Sequence, residues 1–291
     1  MELTLLGTGC PAVHAERYGP AQVVSHGDTT LLIDCGSGVT QRMAQAGISG
    51  RDIDAVLLTH MHSDHIVDLF QLVISSWHQG RDRPQRVFGP SGTYRYVDGM
   101  VSLWATEMEQ RIEHERRPSA VALQTEVTEI KPGEVAEFGA MRVRAIEVDH
   151  KPVRHAYGYV IETDEAKLVI SGDTRPCDAL VEAAQGADLL LHEVFVHHAM
   201  KVVEGVRSQE TIDRVASYHT LSSDVGKVAA KAGVKWLALT HFVPPDCDTD
   251  ALYKEVKADF DGPLTIGADL MTLDLAKREV RHRGEVTAAG D

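Results

Sequence analysis

Residues 60 to 68 read HMHSDHIVD, so three histidines and two aspartates, His60, His62, Asp64, His65 and Asp68, fall within nine positions directly after the apolar run AVLL. Imidazole nitrogens and carboxylate oxygens are the donors of zinc sites, and also of manganese and iron sites. His60 and His62, two apart, can face one ion where the chain is extended; Asp64 and His65 follow in a turn and can serve a second. A solvated loop accounts well for a lone histidine and poorly for so many ligating side chains together. Asp68, three residues past His65 on the following helix, reads as a cap or surface charge and not as a ligand. The spacing itself speaks for bound metal and for nothing finer.

The elements that must hold this cluster are legible around it. Apolar runs bounded by Gly, Asp and Pro predict strands at 3–9, 29–36, 54–60, 157–163, 166–174, 187–194 and 235–241. Helical patterns lie at 65–79, 94–116, 178–185, 222–232 and 249–259. In SSDVGKVAAKAG, residues 222–233, serine reads as the N-cap and Gly233 as the stop. Residues 121–148 alternate like an antiparallel meander with turns at KPGE and FGAM. The region 91–118 is an insertion-like helical segment whose Tyr94, Tyr96 and Trp104 are expected in the core or a dimer contact. No low-complexity linker divides the chain, so 1–291 is expected to form a single domain. The metal cluster then sits in the loop at a strand's carboxyl end, a common place for function on a rigid scaffold.

Composition bounds the partners. With 29 basic and 43 acidic residues the formal charge is −14, which opposes the phosphate neutralisation that nucleic-acid binding requires. No run of 18 apolar residues and no signal-peptide start appear, so no membrane association is expected and the cytoplasm is the expected compartment. Cys10, Cys35, Cys177 and Cys247 form no C-x-x-C pair and read as free thiols.

H-x-H-x-D-H after a strand resembles the signature of the metallo-β-lactamase fold hydrolases, and the similarity runs from LLGTGCP to LTHF. The resemblance implies an α/β (α+β) fold, a four-layer αββα sandwich, with two divalent ions, zinc ahead of manganese or iron. It implies that His60, His62 and His150 hold the first ion, that Asp64, His65 and His241 hold the second, and that Asp173 bridges them. Such ligand sets leave positions open for a bridging hydroxide and a substrate, and Asp64 would also orient the hydroxide. The segments VFGPSGT, AYGYVI, SGDTR and LLLHEVF are similar to the ribonuclease Z and arylsulfatase branch. In that branch a glutamate orients a histidine that protonates the leaving group, which by position implies Glu193 and His219. Asp34 reads as a residue that holds the metal loop by hydrogen bonds.

Departures from that branch narrow the substrate. Only 22 residues separate His150 from Asp173, too few for the long arm with which many ribonuclease Z enzymes grip transfer RNA. The chain reads RYGPA where ribonuclease Z tends to have R-N, and FVPPD follows His241. The expected activity is therefore hydrolysis of a small-molecule ester, of phosphodiester or aryl sulfate type. The alternatives are tRNA 3′-end processing, a carboxyl ester or lactone hydrolase, and a metal-binding protein without catalysis. A homodimer is expected by resemblance and from the apolar run IVDLFQLVISSW. Of the remaining histidines, His14, His26, His114 and His282 read as surface residues, His78 as a helix-end charge and His192 as a satisfied core residue. His155, His197, His198 and Phe195 are candidates to line the cleft, with packing as the alternative for Phe195.

Overall fold

The computed structural model describes residues 1–116 and 119–290. In chain order the first half contains β1 (Glu2–Gly7), β2 (Ala21–His26), β3 (Thr29–Ile33), α1 (Val39–Gln45), β4 (Ala55–Leu57), α2 (Ser63–Ile66) and α3 (Leu69–His78). It continues with β5 (Gln85–Gly89), α4 (Thr93–Glu115) and β6 (Thr125–Glu129). The second half contains β7 (Val135–Phe138), β8 (Met141–Glu147), β9 (Tyr157–Glu162), β10 (Lys167–Ile170), α5 (Asp178–Ala183) and β11 (Leu189–Phe195). Then come α6 (Gln209–Ala216), α7 (Ser222–Ala232), β12 (Leu237–Val243), α8 (Thr249–Lys257), β13 (Leu264–Ile266), β14 (Met271–Asp274), β15 (Glu279–His282) and β16 (Glu285–Ala288).

These strands form two sheets, in the orders β16-β15-β14-β1-β2-β3-β4-β5-β6 and β13-β12-β11-β10-β9-β8-β7. Alternation along the strands decides what lies between them. Leu3, Leu5, Leu31 and Ile33 from one sheet meet Tyr159, Ile161, Leu189 and Leu191 from the other in a fully buried core. The opposite faces are covered by helices: Leu32, Val56 and Val87 pack against α1, α3 and α4 residues such as Met43, Leu72 and Val97. Val169, Leu190 and Leu239 pack against α5, α7 and α8 residues such as Leu180, Val225 and Leu252. Helix, sheet, sheet and helix are thus the four expected layers. No helix among the described residues is long and apolar enough to cross a membrane.

Several local expectations change. Residues 121–148 are not one meander: β6 pairs parallel with β5 in the first sheet, whereas β7 and β8 pair antiparallel in the second. A period of two reports a strand but not its neighbour, and the KPGE turn is where the chain leaves one sheet for the other. The helix expected at 65–79 is interrupted, because the Asp68 amide donates to Cys35 O at 3.0 Å. The Asp68 carboxylate accepts from Thr40 N at 3.0 Å, so it caps α1, a different helix from the one that follows it. Ser222 is not the N-cap of α7; Leu221 occupies that position without a side-chain bond, while Gly233 ends the helix at φ 60° as expected. The strands β2, β5 and β13 to β16 and the helices α1 and α6 carry weaker patterns and were not expected. Of the aromatics on α4, Tyr94 and Trp104 are exposed and Trp104 stacks on Phe70, while Tyr96 Oη donates to Ile66 O. Leu69, Leu72, Val73 and Trp77, counted toward a dimer surface, are buried in this chain's own core. Of the insertion-like region, residues 117 and 118 lie outside the described residues.

Candidate metal centre

The cluster forms where strand ends converge at one edge of the sandwich. β4 is too short to carry His60 within it, so the chain leaves the sheet at Leu58 and presents His60 and His62 before α2 begins. α2 then supplies Asp64 and His65 from its first turn. β8 delivers His150 beyond its last residue, and β10 delivers Asp173 past Gly172. Gly172 has φ 60°, and a Cβ there would sit 2.4 Å from Tyr157 O, so this turn requires glycine. His241 lies inside β12 at φ 47°. In the register Glu193 faces Thr240 and Val194 faces Phe242, which leaves His241 bulged out of the ladder and re-aims its ring from the pleat into the centre.

The donor atoms of His60, His62, His150 and Asp173 lie within 4.8 Å of one another, as do those of Asp64, His65 and His241. Asp173 Oδ2 is 3.8 Å from His60 Nε2, 3.9 Å from His150 Nε2, and 3.4 Å from both His65 Nε2 and His241 Nε2. Asp64 Oδ2 is 3.4 Å from His241 Nε2 and 3.6 Å from His65 Nε2. Two donors on one tetrahedral ion with bonds of roughly 2.1 Å lie about 3.4 Å apart, so the spacing fits ions between these atoms. The buried Nε2 atoms of His60, His65 and His241 have no hydrogen-bond partner among the described residues. Buried nitrogens without partners are costly, and a cation shared among them removes the cost.

On three of the rings the other nitrogen is held, whereas His241 Nδ1 has no partner among the described residues. His65 Nδ1 donates to Asp34 Oδ2 at 2.8 Å, His150 Nδ1 to Tyr218 O at 2.8 Å, and His60 Nδ1 lies 3.0 Å from Thr59 Oγ1. Asp34 also accepts from Thr59 N and Thr59 Oγ1, so one buried carboxylate holds both His65 and the threonine that adjoins His60. On His60, His65 and His150 these bonds leave Nε2 as the nitrogen that faces the cluster. Thr59 and the Tyr218 carbonyl were not singled out from sequence; a hydroxyl beside a ligand carries no distinctive signal, and a backbone carbonyl carries none.

Electrostatics sorts the side chains. Burial and the neighbouring His65 hold His60 well below the usual imidazole range, and burial likewise lowers His62 and His150, so these rings are neutral donors near neutral pH. Burial opposes charge on Asp173, but His241 and His65 outweigh it and keep the carboxylate ionised. Burial also opposes charge on His65, which the Asp173 and Asp34 carboxylates lift well above its ordinary value.

Beside the ligands, His219 Nδ1 donates to Glu193 Oε1 at 3.0 Å, and the same oxygen accepts from Thr174 N and Thr220 N. Burial works against a charged His219, yet Glu193 overcomes it and raises the imidazole to about 9. The ring stacks between Phe195, at 5.9 Å, and His241, at 5.7 Å. Phe195 is fully buried and packs. His192 is also fully buried; its Nδ1 donates to Glu193 O, while its Nε2 has no partner among the described residues, so the expected core histidine is only half satisfied. His197 pairs with Asp213 on the surface, and His155 and His198 are exposed; none of the three belongs to the ligand cluster. His14 lines a cavity beside Asp64, a place its polar context did not suggest.

Residues 1–209 match the family described as Anti-Pycsar protein Apyc1. A ribonuclease Z of Mycobacterium marinum is 35% identical over 283 residues, covering 96% of this chain and 100% of that protein. The metallo-β-lactamase fold protein YhfI from Bacillus subtilis superposes with a TM-score of 0.72 at 21% identity, covering 93% of this chain and 97% of its own. The short form of human tRNase Z gives 0.69 at 20% identity, covering 94% and 99%. With this fold, this His/Asp cluster and these relatives, the chain belongs to the ribonuclease Z-like metallo-β-lactamase fold hydrolases and to the family described as Anti-Pycsar protein Apyc1.

Proposed function

We propose that the protein is a two-metal phosphodiesterase acting on a small-molecule ester. The observation that carries this reading is the juxtaposition of two donor sets sharing Asp173 with the Glu193–His219 pair. His60, His62 and His150 would hold one ion, Asp64, His65 and His241 the other, with Asp173 common to both. Five imidazoles and two carboxylates favour zinc, with manganese or iron as alternatives. Such ions, when bound, lower the pKa of water and neutralise charge on the oxygens of an ester.

The chain's own residues do the rest. Asp64, its side chain 10% exposed, stands where it can accept a hydrogen bond from the attacking water and orient it. His219, kept protonated by Glu193, gives its proton to the departing oxygen. Glu193 fixes the tautomer and stabilises the charged ring. A small substrate is supported by the path from His150 to Asp173, which is a short loop, β9, a tight turn and β10, with no projecting arm. A phosphodiester is preferred to an aryl sulfate because the relatives' names point to phosphoester chemistry.

Assay of the metal-loaded protein on p-nitrophenyl phosphodiester, phosphonate, sulfate and carboxyl esters tests this. Turnover of the phosphodiester, lost on chelation and restored by zinc, is the expected result; no turnover of any ester under several divalent metals overturns it. The second reading is a tRNA 3′-end endoribonuclease, favoured by the 35% identity to a ribonuclease Z. Cleavage of precursor tRNA in a gel assay would establish it. In either reading a homodimer in the cytoplasm is the proposed state, with Tyr94, Leu103 and Trp104 exposed on α4.

A further inference from the structure

Asp64 faces two ways. Its carboxylate lies among the ligand nitrogens, and the same residue lines a cavity of about 700 Å³ between the loop after β1 and the start of α2. Pockets for small ligands span about 300–1,000 Å³, so the space is of substrate size. Its lining is mostly apolar: Cys10, Pro11, Ala12 and Val13 on the loop, Val67 at the end of α2. Val13 and Val67 are exposed, at 101% and 55%. Cys10 belongs with them, since burial pushes its thiol up to about 12 and keeps it neutral.

The one arginine in the lining is already engaged. Arg17 Nη1 donates to Thr8 Oγ1 at 2.7 Å and to Gly267 O at 2.8 Å, and the guanidinium lies 3.9 Å over the Phe242 ring. His14 Nδ1 accepts from Glu16 N. The cavity therefore presents mostly apolar surface, with both Nη1 hydrogens of its arginine committed to the protein. It is also preformed. Asp269 Oδ1 accepts from Thr8 N and Thr8 Oγ1 and its Oδ2 accepts from Tyr18 N, while Gly9 N donates to Tyr18 O, so both ends of the loop are pinned together.

We infer that this cavity is the subsite for one substituent of the ester, and that it selects an uncharged, largely apolar group the size of one or two aromatic rings. The inference rests on reading the adjoining centre as an ester hydrolase. An apolar ring gains by leaving water for this surface, whereas a sugar-phosphate chain would lose hydration against a mostly apolar lining, in a protein whose net charge is −14.

The test is calorimetric titration of the zinc-loaded protein with 2-naphthyl phosphate and with glycerol 1-phosphate. The wild-type protein is expected to prefer the naphthyl ester by about tenfold or more, and the Val13→Asp/Val67→Asp double variant by less than about threefold. Both positions are exposed, so the acidic side chains are compatible with folding. Val67→Ile, which stays apolar, should keep the preference. Equal binding of the two ligands by the wild type, or a preference that survives the double variant, overturns the inference. A naphthyl preference without turnover of any phosphodiester supports the subsite and overturns the hydrolase reading alone. Turnover without a naphthyl preference does the reverse.

Discussion

Asp34 shows how much a single side chain outside the ligand set can decide. Its two oxygens take hydrogen bonds from Thr59, which adjoins His60, and from His65, so it bears on both donor sets. Removing such a partner typically weakens metal binding by about 10–100-fold, and Asp34→Ala should fall in that range when titrated against a chromophoric chelator. Affinity equal to wild type would show that packing alone orients the rings. Glu193 and His219 make a different prediction, because a proton donor matters only when the leaving oxygen is basic. With an alkyl leaving group, His219→Ala and Glu193→Gln should lower kcat by about 10²–10⁴, and with p-nitrophenolate by far less. Equal losses on both substrates would make the pair structural and not a proton source.

At the scale of elements, the site depends on irregularities in strands. His241 sits in the left-handed region at φ 47°, a conformation that costs of order 1–3 kcal/mol and persists because the β11–β12 bulge enforces it. Gly172 performs the analogous service for Asp173. Its replacement by alanine sets a Cβ against Tyr157 O and should destabilise the protein by about 2 kcal/mol or more in denaturant unfolding. The strands of the second sheet are also tied by Asp188, which accepts from Lys167 N and from Lys235 Nζ, both at 2.8 Å. Burial opposes its charge, but the Lys235 ammonium and the Lys167 amide outweigh burial and lower its pKa. A depressed carboxylate contributes stability above its unfolded value of about 3.9, and that contribution is lost as pH falls through the folded value. Asp188→Asn should therefore cost about 1 kcal/mol at neutral pH and nothing at about pH 2 to 3, read from unfolding curves at each pH.

For the whole molecule, ions that bind only the folded chain stabilise it by mass action. At a free metal concentration about 100-fold above Kd, the gain is about 2.7 kcal/mol per ion. Chelation should lower Tm accordingly, and Asp173→Asn, which touches both donor sets, should abolish most of that dependence. A Tm indifferent to chelator in the wild type would contradict a metal centre of this kind. The net charge of −14 acts at this scale as well, discouraging long polyanions without deciding what a local cleft accepts.

The sequence by itself determined the donor-rich HMHSDH cluster and the mixture of strands and helices, for a physical reason: both are written in local patterns. Apolar runs with period two and helical patterns between them predict stacked sheets covered by helices, and HMHSDH is dense enough in ligating groups to exclude an ordinary loop. Asp173, His150 and His241 were assigned through family resemblance, since each is isolated along the chain and meets the others only in space. Which sheet β6 joins, that Asp68 caps α1, that Leu69 and Trp77 are consumed in the core, and that His241 is turned inward by a bulge were decided by tertiary pairing. Such features depend on which surfaces meet. The same holds for the apolar cavity beside Asp64, whose walls come from the loop after β1 and from α2, some fifty residues apart in sequence and joined only by folding.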